Sequence, residues 1–213
     1  MGKSARPGDY DAIADPYCYL DTTVLKNIPD IRDHTSLTEF EAVSTAQRAD
    51  EPLPDGRLSV SHYRAVHNHL FQDVFVWAGR FRTVRLSKDG SAFCYPENIA
   101  RQMTSLFADL KRQRYLKRLS PETFAAASAH FLATLNAIHP FREGNGRTQT
   151  SFLMLLADRA GHPLKLDRLI AKRFLTAMVE GFYGDERPLA TEVRNLIEDR
   201  RGSGSNTGKS RKK

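Results

Sequence analysis

The sequence is short of several features that would fix its class at once. Two cysteines, Cys18 and Cys94, cannot form a disulfide framework in 213 residues, and neither stands at the close spacing of a zinc site or a redox pair. That scarcity fits a reducing cytoplasm. No apolar run approaches the ~20 residues of a bilayer span, and the basic start Met1-Gly2-Lys3 leads into no apolar segment, so neither a membrane partner nor a secretory leader is expected. Gly2 lacks the Ser or Thr at position 6 that myristoylation wants, because Arg6 stands there. Acid is missing from the C-terminal end. Arg200, Arg201, Lys209, Arg211, Lys212 and Lys213 follow Asp199 without a counter-charge, so of the net +7 only +1 belongs to residues 1–199. A nearly neutral body argues against nucleic acid as a partner, and the basic run reads as a solvated tail.

What is present is one composition regime without repeats. It implies a polar, mobile segment over 1–14, a single domain over 15–201 and a disordered basic tail over 202–213. Within the domain the pattern is helical. Ser36 and Glu39 read as a capping box for a helix to about Ala49, with Phe40 and Val43 on its inner face. Tyr63, Val66 and Leu70 mark a second helix over Ser59–Phe71, and Met103, Leu106, Phe107 and Leu110 a third over Ile99–Tyr115. Ser120-Pro121 starts a fourth, rich in small residues, which Pro140 must stop at His139. Further helices are predicted from about Gly146 to Ala160, over Asp167–Glu180 and over Pro188–Arg200. Only Phe81–Tyr95 has β character, read as a short hairpin around Lys88-Asp89-Gly90. The fold class is therefore all-α with one hairpin. His62, His67 and His69 make no metal set, because positions 67 and 69 face different sides of their helix.

Between the fourth and fifth helices stands His139-Pro140-Phe141-Arg142-Glu143-Gly144-Asn145-Gly146-Arg147. Packing alone gives little reason for this run. Gly144 and Gly146 permit positive φ and close backbone approach, and the first-turn N–H groups of the following helix bring the positive end of its dipole to the loop. That combination is an anion site, most often filled by phosphate. Arg147 sits where a cation opposes the dipole, so it is better placed to share a phosphate than to stabilise the helix. Glu143 offers an oxygen ligand for Mg²⁺ held jointly with phosphate, and His139 can take a proton near neutral pH. Phe141 reads as a plug that seats the loop in the core.

These nine residues resemble the Fic-family signature HxFx(D/E)GNGRxxR. The likeness extends from about Asp15 to Leu196, through Val24-Leu25-Lys26-Asn27, Phe75-Val76-Trp77-Ala78-Gly79 and Phe182-Tyr183-Gly184-Asp185, and is of the compact bacterial toxin and translocated-effector type. It implies a Fic-type helical bundle with a β-hairpin flap beside the active-site loop, and transfer of AMP from Mg·ATP to a Ser, Thr or Tyr hydroxyl of a target protein. In that reading His139 is the general base and Glu143 the Mg²⁺ ligand. Asn145 and the Gly144 and Gly146 backbone hold the α-phosphate, and Arg147 grips the β-phosphate. Tyr183 borders the adenosine pocket, and Leu86-Ser87-Lys88-Asp89-Gly90-Ser91-Ala92-Phe93 form the flap that aligns the target by strand addition.

The signature's last arginine, which the family uses for the γ-phosphate, is replaced by Thr150. One charge-assisted contact is worth about 1.5–3 kcal/mol, so a roughly ten- to hundred-fold loss of ATP affinity is implied. That leaves open a weakened or altered Fic module that binds nucleotide or a protein partner, or one that transfers another nucleotide-derived group. The family's inhibitory motif (S/T)xxxE(G/N) has a match at Thr176–Gly181, but inside the helix leading to Phe182. Inhibition would then fall to a separate small antitoxin chain.

Overall fold

The computed structural model describes residues 15–88 and 91–198. The expectations for 1–14 and 202–213, and the flap residues Asp89 and Gly90, lie outside them. Seven α-helices stand among the described residues: α1 His34–Asp50, α2 Val60–Phe71, α3 Pro96–Arg112, α4 Pro121–Ile138, α5 Asn145–Ala160, α6 Ala171–Phe182 and α7 Arg187–Leu196. None is long and apolar enough to cross a membrane.

α4 is the central element and packs against α3, α5, α6 and α7. Its sequence explains the placement. Ser120 accepts from the Thr123 N–H at 3.2 Å and Pro121 opens the first turn. Phe124, Ala125, Ala129, Leu132 and Leu135 then bury on different sides of the helix, the alanines allowing close approach. α2 is capped by Ser59, as its pattern predicts, and buries Tyr63, Val66 and Leu70. Gly161, at φ 88°, closes α5.

The expectations for four helices need correction. α1 is capped by Asp33, whose carboxylate accepts from the Ser36 N–H at 2.8 Å, so the helix starts before Ser36. It buries Leu37 and Thr45, and Phe40 packs partly buried against the core as expected, while Val43 is 60% exposed. α3 stops at Arg112, and the chain turns through Arg114, Tyr115 and Leu116 with left-handed backbone. Asp167 belongs to a single 3₁₀ turn, Leu166–Arg168, ahead of α6, and the helix predicted from Pro188 ends at Leu196.

The hairpin is the shortest possible. β1, Ser87–Lys88, pairs antiparallel with β2, Ser91–Ala92, with Ser87 opposite Ala92 and Lys88 opposite Ser91. A longer ladder is prevented by Arg82, which is 2% exposed. Its Nη1 donates to the Val84 carbonyl and its Nη2 to the Cys94 carbonyl, each at 2.6 Å, while the Cys94 N–H donates to Ala137 of α4 at 3.0 Å. Beyond one further rung, from the Phe93 N–H to the Leu86 carbonyl, the flanking backbone is thus bonded to Arg82 and α4 instead of to the opposite strand.

Candidate active site

The loop from His139 to Arg147 joins the C-terminus of α4 to the N-terminus of α5. Pro140 denies His139 the helical region, and the residue takes the left-handed one, φ 48° and ψ 63°, with its N–H still bonded to Leu135 at 3.0 Å. The imidazole folds back toward the last turn of α4. Its Nδ1 lies 3.3 Å from the Asn136 carbonyl, which places the ring proton on Nδ1 and the lone pair on Nε2. The ring stacks on Phe93 at 3.9 Å. Burial pushes its pKa down to about 3, and the Arg82 and Lys88 charges act in the same direction, so the imidazole is neutral around pH 7.

The backbone is pinned from behind. Arg82 donates from Nε to the His139 carbonyl at 2.8 Å and from Nη2 to Ile138 at 3.2 Å, and its own N–H donates to Pro140 at 2.9 Å. Phe141 is fully buried, 3.7 Å from the His67 ring and 5.5 Å from Tyr63. His67 accepts from the Gly79 N–H at Nδ1, 2.8 Å, so its proton is on Nε2 and goes to the Glu143 carbonyl at 3.0 Å. Burial lowers the His67 pKa to about 3 and keeps that tautomer neutral. Trp77, the chain's single tryptophan, stacks on Phe75 at 4.3 Å and lies 6.1 Å from the same ring. Arg142, buried, pairs through Nε with Asp15 at 2.7 Å.

Gly144 takes φ 79°, and a Cβ there would fall 2.2 Å from Phe71. Both a left-handed backbone and a close approach demand glycine. Gly146 is different: it lies inside α5 and a Cβ would meet nothing within 4 Å, so positive φ is not its reason. The carboxamide of Asn145, 1% exposed, accepts from the Phe141 N–H at 3.0 Å and donates to the Phe141 carbonyl at 2.9 Å. Its side chain therefore closes the loop, and the part of Asn145 left to meet an anion is its backbone N–H. The first helical bond of α5 runs from Thr148 to Gly144 at 3.1 Å, so the N–H groups of Asn145, Gly146 and Arg147 have no partner within the helix.

Glu143 accepts from the Gly144 N–H at 2.8 Å and lies 3.7 Å from Arg147, at the mouth of this turn. Arg147 also pairs with Glu41 and donates to the Thr45 hydroxyl at 3.1 Å, both on α1, with its guanidinium 4.7 Å over Phe71. Thr150 donates to the Gly146 carbonyl at 3.1 Å. Tyr183, 68% exposed, contacts Phe182, which reaches Phe93 at 5.7 Å, so the end of α6 joins the flap beside His139. Leu86 is buried beneath the flap and accepts from the Phe93 N–H at 3.1 Å.

Comparison with known proteins agrees with this geometry. Residues 57–157 match the Fic/DOC family. Over 189 residues, 88% of this chain and 98% of the relative, it is 51% identical to the probable protein adenylyltransferase y4lH of Sinorhizobium fredii. The chain belongs to the Fic/DOC family. A second Fic relative, the probable protein adenylyltransferase Fic of Salmonella typhimurium, is 32% identical over 88% of this chain and 94% of its own. The protein adenylyltransferase VbhT of Bartonella schoenbuchensis is 33% identical, and there this chain spans only 40% of the relative's length. Among solved Fic structures, the VirB-translocated effector BepC of Bartonella tribocorum with bound AMPPNP superposes with TM-score 0.77 at 28% identity, covering 85% of this chain and 96% of that one. A Fic domain from Bartonella quintana with bound ADP gives 0.76 at 29%, covering 87% and 95%.

Sequence reasoning missed the Fic loop's supports, Asp15, Glu41, His67 and Arg82. Each acts across 57 to 127 residues of chain, so no local motif marks them.

Proposed function

We propose that this Fic-family chain is a protein adenylyltransferase that moves AMP from ATP to a Ser, Thr or Tyr hydroxyl of a target protein. The observation that carries the reading is one loop that presents a neutral imidazole beside three helix N–H groups without helical partners. His139 takes the hydroxyl proton at Nε2 as the oxygen bonds the α-phosphorus, and pyrophosphate leaves. A pKa of about 3 makes the resting ring a weak base, and the negative charge of an arriving triphosphate raises its proton affinity. The N–H groups of Asn145, Gly146 and Arg147 face the α-phosphate, and the Arg147 guanidinium meets the β-phosphate and the charge of the leaving group.

The donor set suits Mg²⁺. Glu143 supplies one carboxylate at the mouth of the turn, and Mg²⁺ is commonly held by one or two carboxylates together with substrate phosphates. The ion would neutralise phosphate charge there. The hairpin edge at Ser87–Lys88, next to the Phe93–His139 stack, is where an extended target segment adds as a strand, and Tyr183 borders the adenosine. A Cβ added at Gly181 would fall 3.3 Å from that of Ala133, so α6 packs closely on α4, which supports inhibition by a separate antitoxin chain over an internal one. Translocation, as for the VirB effectors, fits the same compact module.

The test is incubation with ATP labelled on the α- or the γ-phosphate. Label should pass to protein from the α position alone. His139→Ala should abolish transfer and leave ADP affinity within about two-fold, since the imidazole touches no phosphate in this scheme. Transfer from the γ position, or none from any nucleotide, would sink the reading.

A further inference from the structure

We infer that Glu41 on α1 is a positioning residue that aims the Arg147 guanidinium at the nucleotide's β-phosphate. The inference rests on the reading of Arg147 given above and adds a helix the signature loop does not contain.

Arg147 stands in the first turn of α5, where the dipole disfavours a cation, on a long side chain that is 40% exposed. Left alone it would sample many rotamers. Instead it is held by three groups. The Glu41 carboxylate pairs with Nη2, the Thr45 hydroxyl one turn along α1 accepts from Nη1 at 3.1 Å, and the Phe71 ring lies 4.7 Å beneath Cζ. Glu41 and Thr45 are four residues apart, so one face of one helix presents both acceptors. A guanidinium has five N–H donors, and the two ends spent on α1 leave others for a planar phosphate contact.

The setting of Glu41 argues against an incidental surface pair. Its side chain is only 13% exposed, and burial raises its pKa against the opposing pull of Arg147. Charged residues are seldom buried this far without a fixed partner. Glu143 approaches the same guanidinium at 3.7 Å, so two carboxylates face one arginine. One of them belongs to the loop. The other, Glu41, lies outside it, and its carboxylate is bonded to nothing but Arg147 among the hydrogen bonds and ion pairs of the described residues.

The experiment is calorimetry of ADP and AMP, in magnesium buffer, against the full chain and the variants Glu41→Gln, Glu41→Ala and Arg147→Ala. ADP carries the β-phosphate and AMP does not. Glu41→Ala should weaken ADP about five- to ten-fold and leave AMP within two-fold, and the isosteric Glu41→Gln, which retains a hydrogen bond, should recover part of the loss. In the Arg147→Ala background, Glu41→Ala should add nothing. Tighter ADP binding in Glu41→Ala would make Glu41 a competitor of the phosphate and overturn the inference. So would a lower melting temperature with unchanged ADP affinity, which marks a mere tether between α1 and α5. If Arg147→Ala itself leaves ADP unchanged, the fault lies with the phosphate role of Arg147. If Arg147→Ala weakens ADP and Glu41→Ala does not, the fault lies with Glu41 alone.

Discussion

The two halves of the signature loop are built on opposite principles. From His139 to Asn145 nearly every polar group is committed inward: Arg82 takes carbonyls, His67 holds Glu143, Asp15 holds Arg142 and the Asn145 carboxamide ties off Phe141. At the start of α5 the backbone offers rather than binds: the N–H groups of Asn145, Gly146 and Arg147 lack helical partners, the space over Gly146 is open and a short Thr150 faces its own helix, while the Arg147 side chain is tied back to α1. The first half uses buried polar residues to fix backbone shape, and the second keeps its donors for a ligand. A rigid scaffold under an exposed donor set is what preorganised anion binding requires.

Four substitutions should break or sharpen that contrast. Arg82→Met would strip donors from the Val84, Cys94, Ile138 and His139 carbonyls, and unsatisfied buried acceptors cost about 1–3 kcal/mol each. Even with partial relaxation, a loss of about 4 kcal/mol in urea unfolding is expected, the largest of the set. A loss under about 1 kcal/mol would mean the loop does not depend on that anchor.

Gly144→Ala comes next, at about 3 kcal/mol, because the left-handed backbone and the approach to Phe71 both count against a Cβ. Its neighbour provides the control. Gly146→Ala should leave stability unchanged or slightly raised, since alanine suits a helix and meets no atom, while weakening nucleotide binding by crowding the phosphate. Opposite signs in melting temperature for two glycines two residues apart would establish the division between the halves; parallel losses would erase it.

The smallest effect concerns Thr150→Arg, which adds a cation to the offering half. ATP should tighten by about ten-fold with ADP nearly unchanged, as calorimetry of both nucleotides would register. An equal gain for ADP would point to a general charge effect, and no gain would leave Thr150 compatible with full activity.

The loop itself was legible in the sequence because its residues are contiguous and a glycine pair, an arginine and a histidine beside a helix start have few other uses. The residues that support it from behind were not. His67 reads as one more helical histidine and Arg82 as one more solvated arginine until Gly79, Pro140 and Cys94 are brought around them. The hairpin shows the same limit. Alternation of Val84 and Leu86 with polar residues predicted strands across Phe81–Tyr95, and only the buried guanidinium of Arg82 explains why pairing covers two residues a side. On α1, Phe40 packs against the core while Val43, three residues on, is left exposed, a choice that periodicity alone does not decide.

Trp77 gives the molecule an optical property that follows from its place behind the loop. With a single indole, 7% exposed, in a stack with Phe75 and close to His67, all tryptophan emission arises from one site coupled to the Glu143 carbonyl through that imidazole. Emission therefore reports the seating of the loop without any introduced dye: blue-shifted while the indole is dry, red-shifting as water reaches it, and sensitive to the charge state of the neighbouring ring.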